Sequence, residues 1–289
     1  VPVIADPQLT DAFSYLYAGR GSATLAAIQF YSDLYMKRNW RYMRHHHDYR
    51  SVVFLGDLFD GGREWTAQDG TFGAELARFR RIFVLPAQMR PVWCAGNHDI
   101  GFGTTIVPEA YDRFATVFGP PNAVHEYPHH RIVVVDTIGL NAEPASPYYQ
   151  AAYRFVASLP PSSKPAVLIS HVPLYRPGDA DCGPDRRTRP IQNIRGVQYQ
   201  NLIQPQLTAW LLGAVRPQLT LSGDDHDVCH VDHVLDATGT HHPEWTIPTF
   251  SFLQGNPRPA YGMLHLHPDG TSTLDVCWLA PQMRIYTLY

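Results

Sequence analysis

The sequence predicts a layered α/β sandwich, and two observations carry that prediction. Short apolar runs rich in Val, Ile and Leu alternate with segments of helical spacing over most of the chain. The last quarter then reads as sequential strands joined by tight turns. Strand–helix units followed by a β-meander give packed layers of sheet and helix. No internal repeat or low-complexity tract divides the 289 residues, so one domain over 1–289 is expected.

Each element has its own reason. Residues 3–5 are an apolar first strand that ends at Asp6. Residues 25–38 have helical spacing and contain neither Pro nor Gly. Residues 52–55 form a buried strand ending at Gly56, and 92–95 another ending at Gly96, with a helix over 73–83 between them. A helix over 109–118 leads to a strand over 132–136, and a helix over 148–158 to a strand over 166–170 before His171. The run 173–195 is rich in Pro, Gly, Arg and Asp. Loops of that length in compact folds are usually functional or disordered. A helix over 202–212 precedes a strand over 218–222 that ends at Gly223. Strands are then expected over 246–253, 263–267 and 272–279, with Pro268-Asp269-Gly270 as one of the turns.

Composition narrows the function. The 23 Lys and Arg against 26 Asp and Glu give a formal charge of −3, which is no electrostatic footprint for nucleic acid. An apolar content of 45% excludes disorder. No run approaches the ~18 apolar residues of a membrane span. The first residue is Val1, as expected of a processed or excised piece of a longer protein. None of the four cysteines forms a Cys-x-x-Cys pair, which argues against a zinc knuckle. Cys94 lies in an apolar run and reads as a buried thiol. Cys182 and Cys229 lie in loop-like stretches where a disulfide would form in an oxidising compartment. The pairing among the four, with Cys277, stays open.

Position picks out the chemistry. Five predicted strands end in polar clusters: Asp6-Pro7-Gln8, Gly56-Asp57-Leu58-Phe59-Asp60-Gly61-Gly62-Arg63, Gly96-Asn97-His98-Asp99, Ser170-His171 and Gly223-Asp224-Asp225-His226. Sites in open α/β sheets gather beyond the carboxyl ends of the strands. Carboxylate, amide oxygen and imidazole without thiolate favour Mn, Fe, Zn or Mg. There are too many candidates for one ion. Two ions about 3.5–4 Å apart, sharing a carboxylate, suit phosphate ester hydrolysis.

These blocks, in this order over residues 6 to 226, resemble the calcineurin-like metallophosphoesterases. Two positions depart from the general pattern: Gln8 and Asp224 stand where most members have His. Together with the stretch Tyr35-Met36-Lys37-Arg38-Asn39-Trp40-Arg41-Tyr42, they resemble the fungal and animal phosphoesterases of the endoplasmic reticulum that remodel GPI anchors. The resemblance implies a four-layer α/β/β/α sandwich. It implies removal of ethanolamine phosphate from a mannose of the GPI glycan by a hydroxide bridging two divalent ions, Mn²⁺ first, Zn²⁺ or Fe otherwise. It implies a lumenal domain on the endoplasmic reticulum or Golgi membrane, reached through flanking segments outside this chain. The partner would be a GPI glycolipid or GPI-anchored protein. A phosphomonoesterase or nucleotidase, or a non-catalytic scaffold, are the competing expectations.

Carried over residue by residue, Asp6, Gln8, Asp57 and His226 would hold one ion. Asp57, Asn97, His171 and Asp224 would hold the other. His98 would face the leaving oxygen, with Asp99 fixing its tautomer. Asp60 and Arg63 would support the site or form a buried pair, with Arg63 also in reach of a phosphate oxygen as an alternative. His230 is close enough to His226 in sequence to line the site. Arg176, Arg186, Arg187 and Arg189 are candidates for a phosphate or glycan, and Trp65, Tyr175 and Trp245 for sugar stacking. His45, His46 and His47 read as a solvated run, and His265 and His267 as cross-strand neighbours.

Overall fold

Alternation along the strands sets the layers. In the computed structural model, which describes all residues except 16–18, 67–69, 195–199, 236–238, 283–286 and 288–289, two sheets face each other. The predicted connection over 173–195 ends on a residue outside the described ones. The first sheet contains β1 (Pro2–Ile4), β2 (Ser51–Phe54), β3 (Arg90–Trp93), β10 (Ala260–Leu266) and β11 (Ser272–Trp278), in the order β11-β10-β1-β2-β3. The second contains β4 (Ala123–Glu126), β5 (Arg131–Val134), β6 (Ala166–Ile169), β7 (Pro217–Ser222), β8 (Cys229–Leu235) and β9 (Thr240–Thr246), in the order β4-β5-β6-β7-β9-β8. Val3, Val53, Leu55, Val92, Ile132, Val134, Val167, Ile169, Leu219 and Leu221 form one buried cluster between the sheets. The intervening residues, with side chains on the other face, pack outward. Phe54 meets Trp40, Phe79 and Phe83 of the helical layer.

The helices cover both outer faces. They are α1 (Ala23–His46), α2 (Thr71–Ile82), α3 (Asn97–Ile100), α4 (Pro108–Phe118), α5 (Thr137–Leu140), α6 (Pro147–Ala157) and α7 (Pro205–Val215). The Ser22 side chain accepts from Leu25 N and starts α1. Pro in the first turn starts α4, α6 and α7, where a missing N–H costs nothing. Val133 and Leu168 share a core cluster with Ala152, Val156, Leu211 and Leu212 of α6 and α7. The two sheets flanked by helices agree with the expected sandwich.

The last quarter differs from a meander. β8 and β9 form a hairpin on the second sheet, and β10 and β11 a hairpin on the first. The strand expected over 246–253 lies earlier, at Thr240–Thr246, and the chain after it crosses between sheets, with Ala5 bridging Thr249. Edge strands β4 and β8 escaped the sequence because they are half polar; β8 alternates exposed residues such as His230 and Asp232 with half-buried ones such as Val231 and His233. The helix expected over 25–38 runs on to His46, and the exposed His45–His47 run is its end and cap.

Candidate metal centre

The parallel strands of both sheets aim their carboxyl ends at one edge. β1 delivers Asp6 and Gln8, β2 delivers Asp57, and the turn after β3 delivers Asn97 and His98. β6 is followed by His171, and β7 by Asp224 and His226. The turns brace one another: Gln8 N donates to Asp57 O at 2.8 Å, and Gly223 N to His171 O at 3.0 Å. Side chains could not be added at the two glycines between these turns. A Cβ on Gly56, whose φ is +100°, would lie 2.6 Å from His171 Nδ1, and one on Gly96 would strike the Asp57 backbone and carboxylate.

The backbone itself is strained here. Among the described residues, the non-glycine positions with positive φ are Asp6, Gln8, Asp57, Asp224, His226 and Arg216. Five of these six are candidate ligands. Left-handed backbone costs an L-residue on the order of 1 kcal/mol, and such strain collects at functional sites.

The side chains form two adjoining groups that share Asp57. One oxygen or ring nitrogen from each of Asp6, Asp57 and His226 lies within 4.8 Å of the others, and the same holds for Asp57, His171 and Asp224. His171 Nδ1 donates to the Leu55 carbonyl at 2.7 Å. Its Nε2 therefore presents a lone pair in the neutral ring. That nitrogen faces Asn97 Oδ1 at 3.0 Å, Asp57 Oδ1 at 3.4 Å and Asp224 Oδ1 at 3.5 Å. Burial resists a charge on His171, but Asp57 and the other carboxylates outweigh it and hold its pKa well above the usual value. Burial pushes Asp57 upward too, but His171, His98 and their hydrogen bonds prevail and hold it below the usual carboxylate range.

The other group is less satisfied. Gln8 Nε2 donates to Asp57 Oδ2 at 3.0 Å, which leaves Gln8 Oε1 buried without a partner. Asp6 Oδ2 and His226 Nε2 are likewise buried and unpartnered among the described residues. Burial raises Asp6 well above its usual pKa and lowers His226. Three unpartnered acceptors at one place violate the usual satisfaction of buried polar atoms, and a cation resolves all three.

The cleft above these groups has a volume of about 360 Å³ and is lined by Gln8, Asp57, Arg63, Asn97, His98, Phe102, Gln200, Asn201, Asp224, Asp225 and His226. His98 Nδ1 lies 2.5 Å from the Asp60 carbonyl and 3.3 Å from Asp60 Oδ1. Asp60, not Asp99, therefore orients this ring. Asp99 accepts from Gly96 N and Leu58 N at 3.0 Å and from Phe59 N at 3.3 Å. It ties three backbone amides together, and burial lifts its pKa to about 7. Asp60 and Arg63 form no pair: Arg63 Nε contacts Glu64 at 3.0 Å, and its guanidinium lies over Phe102 at the cleft wall.

Other expectations change as well. His230 is exposed and stacks on Trp245 at 4.1 Å, away from the cleft-lining set. Arg176 is buried in an ion pair with Glu244 at 2.8 Å. Trp65 is buried with its indole N–H on Asp11, and Tyr175 packs beside a small apolar cluster. Arg187 and Arg189 are exposed, whereas Arg186 pairs with Asp225 at 2.6 Å on the cleft rim. His265 contacts Asp275 across the β10–β11 pair, as a cross-strand role requires. Phe102, Gln200 and Asn201 also line the cleft, although none of them directly follows a predicted strand. Asn256 Nδ2 donates to the His226 carbonyl at 2.7 Å and braces the turn that carries that ring. Cys182 and Cys229 form a disulfide that ties the long connection to β8, and Cys94 is a buried free thiol.

Residues 4–203 match the calcineurin-like phosphoesterase family. The chain belongs to it. The family is one of metal-dependent phosphoester hydrolases with a binuclear metal centre. "Cell division control protein 1" of Saccharomyces cerevisiae is 35% identical over 95% of this chain and 56% of its own length. "Metallophosphoesterase 1" of Gallus gallus is 29% identical over 82% of this chain and 63% of its own length. The chain thus spans roughly three-fifths of the curated relatives it matches. A dimetal phosphatase from Danio rerio superposes with a TM-score of 0.52 at 16% identity, covering 96% of this chain and 95% of that one. The donor set here, five carboxylate or amide side chains and two imidazoles around unpartnered lone pairs, fits a pair of divalent cations.

Proposed function

We propose that this chain is a phosphodiesterase that removes ethanolamine phosphate from a mannose of a GPI glycan. Asp6, Gln8, Asp57 and His226 would hold one divalent cation. Asp57, Asn97, His171 and Asp224 would hold the second, with Asp57 shared. The observation that carries this assignment is the trio of buried, unpartnered acceptors on Asp6, Gln8 and His226. The carboxylate at Asp224 favours hard ions, Mn²⁺ first and Zn²⁺ or Fe next. When bound, two such cations supply Lewis-acid polarisation of the phosphoryl group and a nucleophile at neutral pH.

The chain's own residues do the rest. The fixed turns hold the candidate ligands at one cleft, so the phosphoryl group meets a preorganised positive site. His98, whose Nδ1–H is held by Asp60, presents Nε2 to the leaving oxygen and, as the doubly protonated imidazolium, gives it the Nε2 proton. Arg63, held over Phe102, contacts a phosphate oxygen from the cleft wall. The GPI substrate and a membrane of the endoplasmic reticulum follow from the resemblance to the remodelling phosphoesterases, and from relatives that include Metallophosphoesterase 1. The Cys182–Cys229 disulfide is consistent with an oxidising lumen. Membrane contact through flanking segments and a GPI glycolipid or GPI-anchored protein as partner belong to the same reading, as does a single domain over the whole chain.

Two assays test it. Mn²⁺-loaded protein should hydrolyse bis(p-nitrophenyl) phosphate in preference to p-nitrophenyl phosphate. A GPI glycan treated with it should lose the mass of ethanolamine phosphate. Preference for the monoester would favour a phosphomonoesterase or nucleotidase. Failure to retain near-stoichiometric transition metal would favour a scaffold.

A further inference from the structure

The outer face of α1 is not what a surface helix normally presents. Between Ala23 and Leu34 its exposed residues are Ala23, Thr24, Ala26, Ala27, Phe30, Tyr31 and Leu34, so one polar residue breaks an apolar face. The opposite face already buries Leu25, Tyr35, Met36, Trp40 and Met43 in the core. A helix that is apolar all round is normally covered on every side. Phe30 is 62% exposed, Tyr31 48% and Leu34 38%. With Phe13 and Tyr42 they make up five of the ten large hydrophobic residues exposed on the described surface. Phe13 belongs to the turn beside this helix, which Gln29 Nε2 holds by donating to the Thr10 carbonyl at 3.0 Å.

Charge continues the same face. The spacing of three and four that aligns Ala27, Phe30 and Leu34 carries on to Lys37, Arg38 and Arg41. Arg44 follows one turn later. The only acid in α1 is Asp33, and it is taken by Arg78. Four cations with no free counter-charge on one helix stand out in a chain of net charge −3. Aromatic and aliphatic residues beside Lys and Arg are the composition of helices that lie in a lipid–water interface. A protein partner would explain the apolar half but gives no reason for the run of cations.

We propose that the outer face of α1 docks on an anionic phospholipid surface. Phe30 and Leu34 enter the acyl boundary, and Lys37, Arg38 and Arg41 meet the headgroup phosphates. Thr10, whose carbonyl accepts from Gln29 of α1, is two residues from the cleft-lining Gln8, so the docking helix is tied to the turn that carries the site. The face is independent of which phosphoester is cleaved.

Vesicle flotation of the metal-loaded chain tests this directly. The chain should float with equal-part phosphatidylcholine–phosphatidylserine vesicles, more weakly with phosphatidylcholine alone, and less as salt rises. F30S/L34S should lower the bound fraction at least ~10-fold. R38Q/R41Q should lower it roughly 25-fold and flatten the salt dependence, at about fivefold per charge. Both variants should keep wild-type hydrolysis of a soluble diester, which shows that the fold is intact. Should F30S/L34S fail to fold, R38Q/R41Q, whose side chains lie outside the core, decides. Wild-type flotation of R38Q/R41Q, or no flotation of the unaltered chain, overturns the proposal. So does concentration-dependent dimerisation abolished by F30S/L34S in a chain that does not float. A chain that floats yet leaves a GPI glycan intact sinks the substrate assignment and not the docking face.

Discussion

Asp6 and Glu244 are both fully buried carboxylates, yet their surroundings are opposite. Both oxygens of Glu244 face donors. Oε1 accepts from Ser222 Oγ at 2.7 Å and Leu174 N at 3.1 Å. Oε2 meets His233 Nε2 at 2.7 Å and Arg176 Nη2 at 2.8 Å. Burial pulls its pKa upward, but Arg176, His233 and Ser222 outweigh it and set it at about 2. Asp6 has one donor, the Asp224 amide at 3.2 Å, and faces Asp57, Asp224 and an unpartnered His226 nitrogen. The Glu244 carboxylate is satisfied by donors of the chain itself; the second cluster gathers buried lone pairs that an added cation would satisfy. Buried charge alone therefore does not mark a site. The direction of the missing partner does.

The largest effect should come from the shared carboxylate. Asp57→Ala should lower diester hydrolysis by roughly 10⁴-fold, since both candidate cation positions lose a ligand. The rise in thermal midpoint on adding Mn²⁺ should collapse with it, because that rise measures cation binding to the folded state. Near-normal turnover in Asp57→Ala would erase the distinction between the two clusters.

His98 tests a different part of the site. His98→Ala should cost about 10²–10⁴-fold in hydrolysis, the usual range for a general acid. Metal content should not change, because the ring is held by Asp60 and stands outside the candidate ligand set. Loss of metal along with activity would instead place His98 among the ligands.

The Glu244 cluster should answer in stability rather than turnover. Glu244→Gln leaves Arg176 buried beside a neutral partner, at about 3–5 kcal/mol for breaking such a pair. Diester hydrolysis by the folded fraction should stay within a few-fold. Its pH dependence has a definite sign. The folded pKa of about 2 lies below the ordinary glutamate value of 4.5, so the folded state prefers the carboxylate. The stabilisation is complete above pH 4.5 and is lost as pH falls towards 2, worth about 3 kcal/mol over that window. Acid unfolding midpoints of the wild type and Glu244→Gln should converge there; parallel curves would refute the assignment.

This contrast also explains what was readable in the sequence. Asp6, Asp57, Asn97, His171, Asp224 and His226 each follow an apolar strand, and strand topology alone brings them to one edge. Side-chain partners are another matter. Asp99 is adjacent to His98, yet the turn of α3 points its carboxylate back at the amides of Leu58 and Phe59. Asp60, distant in sequence, reaches the ring instead. Arg176 looked like a substrate residue because its loop is polar, but a partner 68 positions away on β9 buries it. Edge strands β4 and β8 lacked the continuous apolar pattern because one of their faces meets solvent. Local pattern predicts where a backbone goes; long-range pairing decides what a side chain does there.

Gln8 should give the smallest effect and the finest test. Its amide N–H holds Asp57 Oδ2, and its carbonyl oxygen is one of the three unpartnered acceptors. Gln8→Ala removes both. Its φ of +34° would burden alanine as it burdens glutamine, so backbone strain should not separate the two proteins. The expected result is a 10–100-fold loss of Mn²⁺ affinity, the range seen when a group that orients metal ligands is removed. Saturating Mn²⁺ should restore most of the rate, because Asp6, Asp57 and His226 remain. Unchanged affinity would reduce Gln8 to a brace for Asp57. A loss that no concentration of Mn²⁺ repairs would mean that its amide acts on the substrate itself.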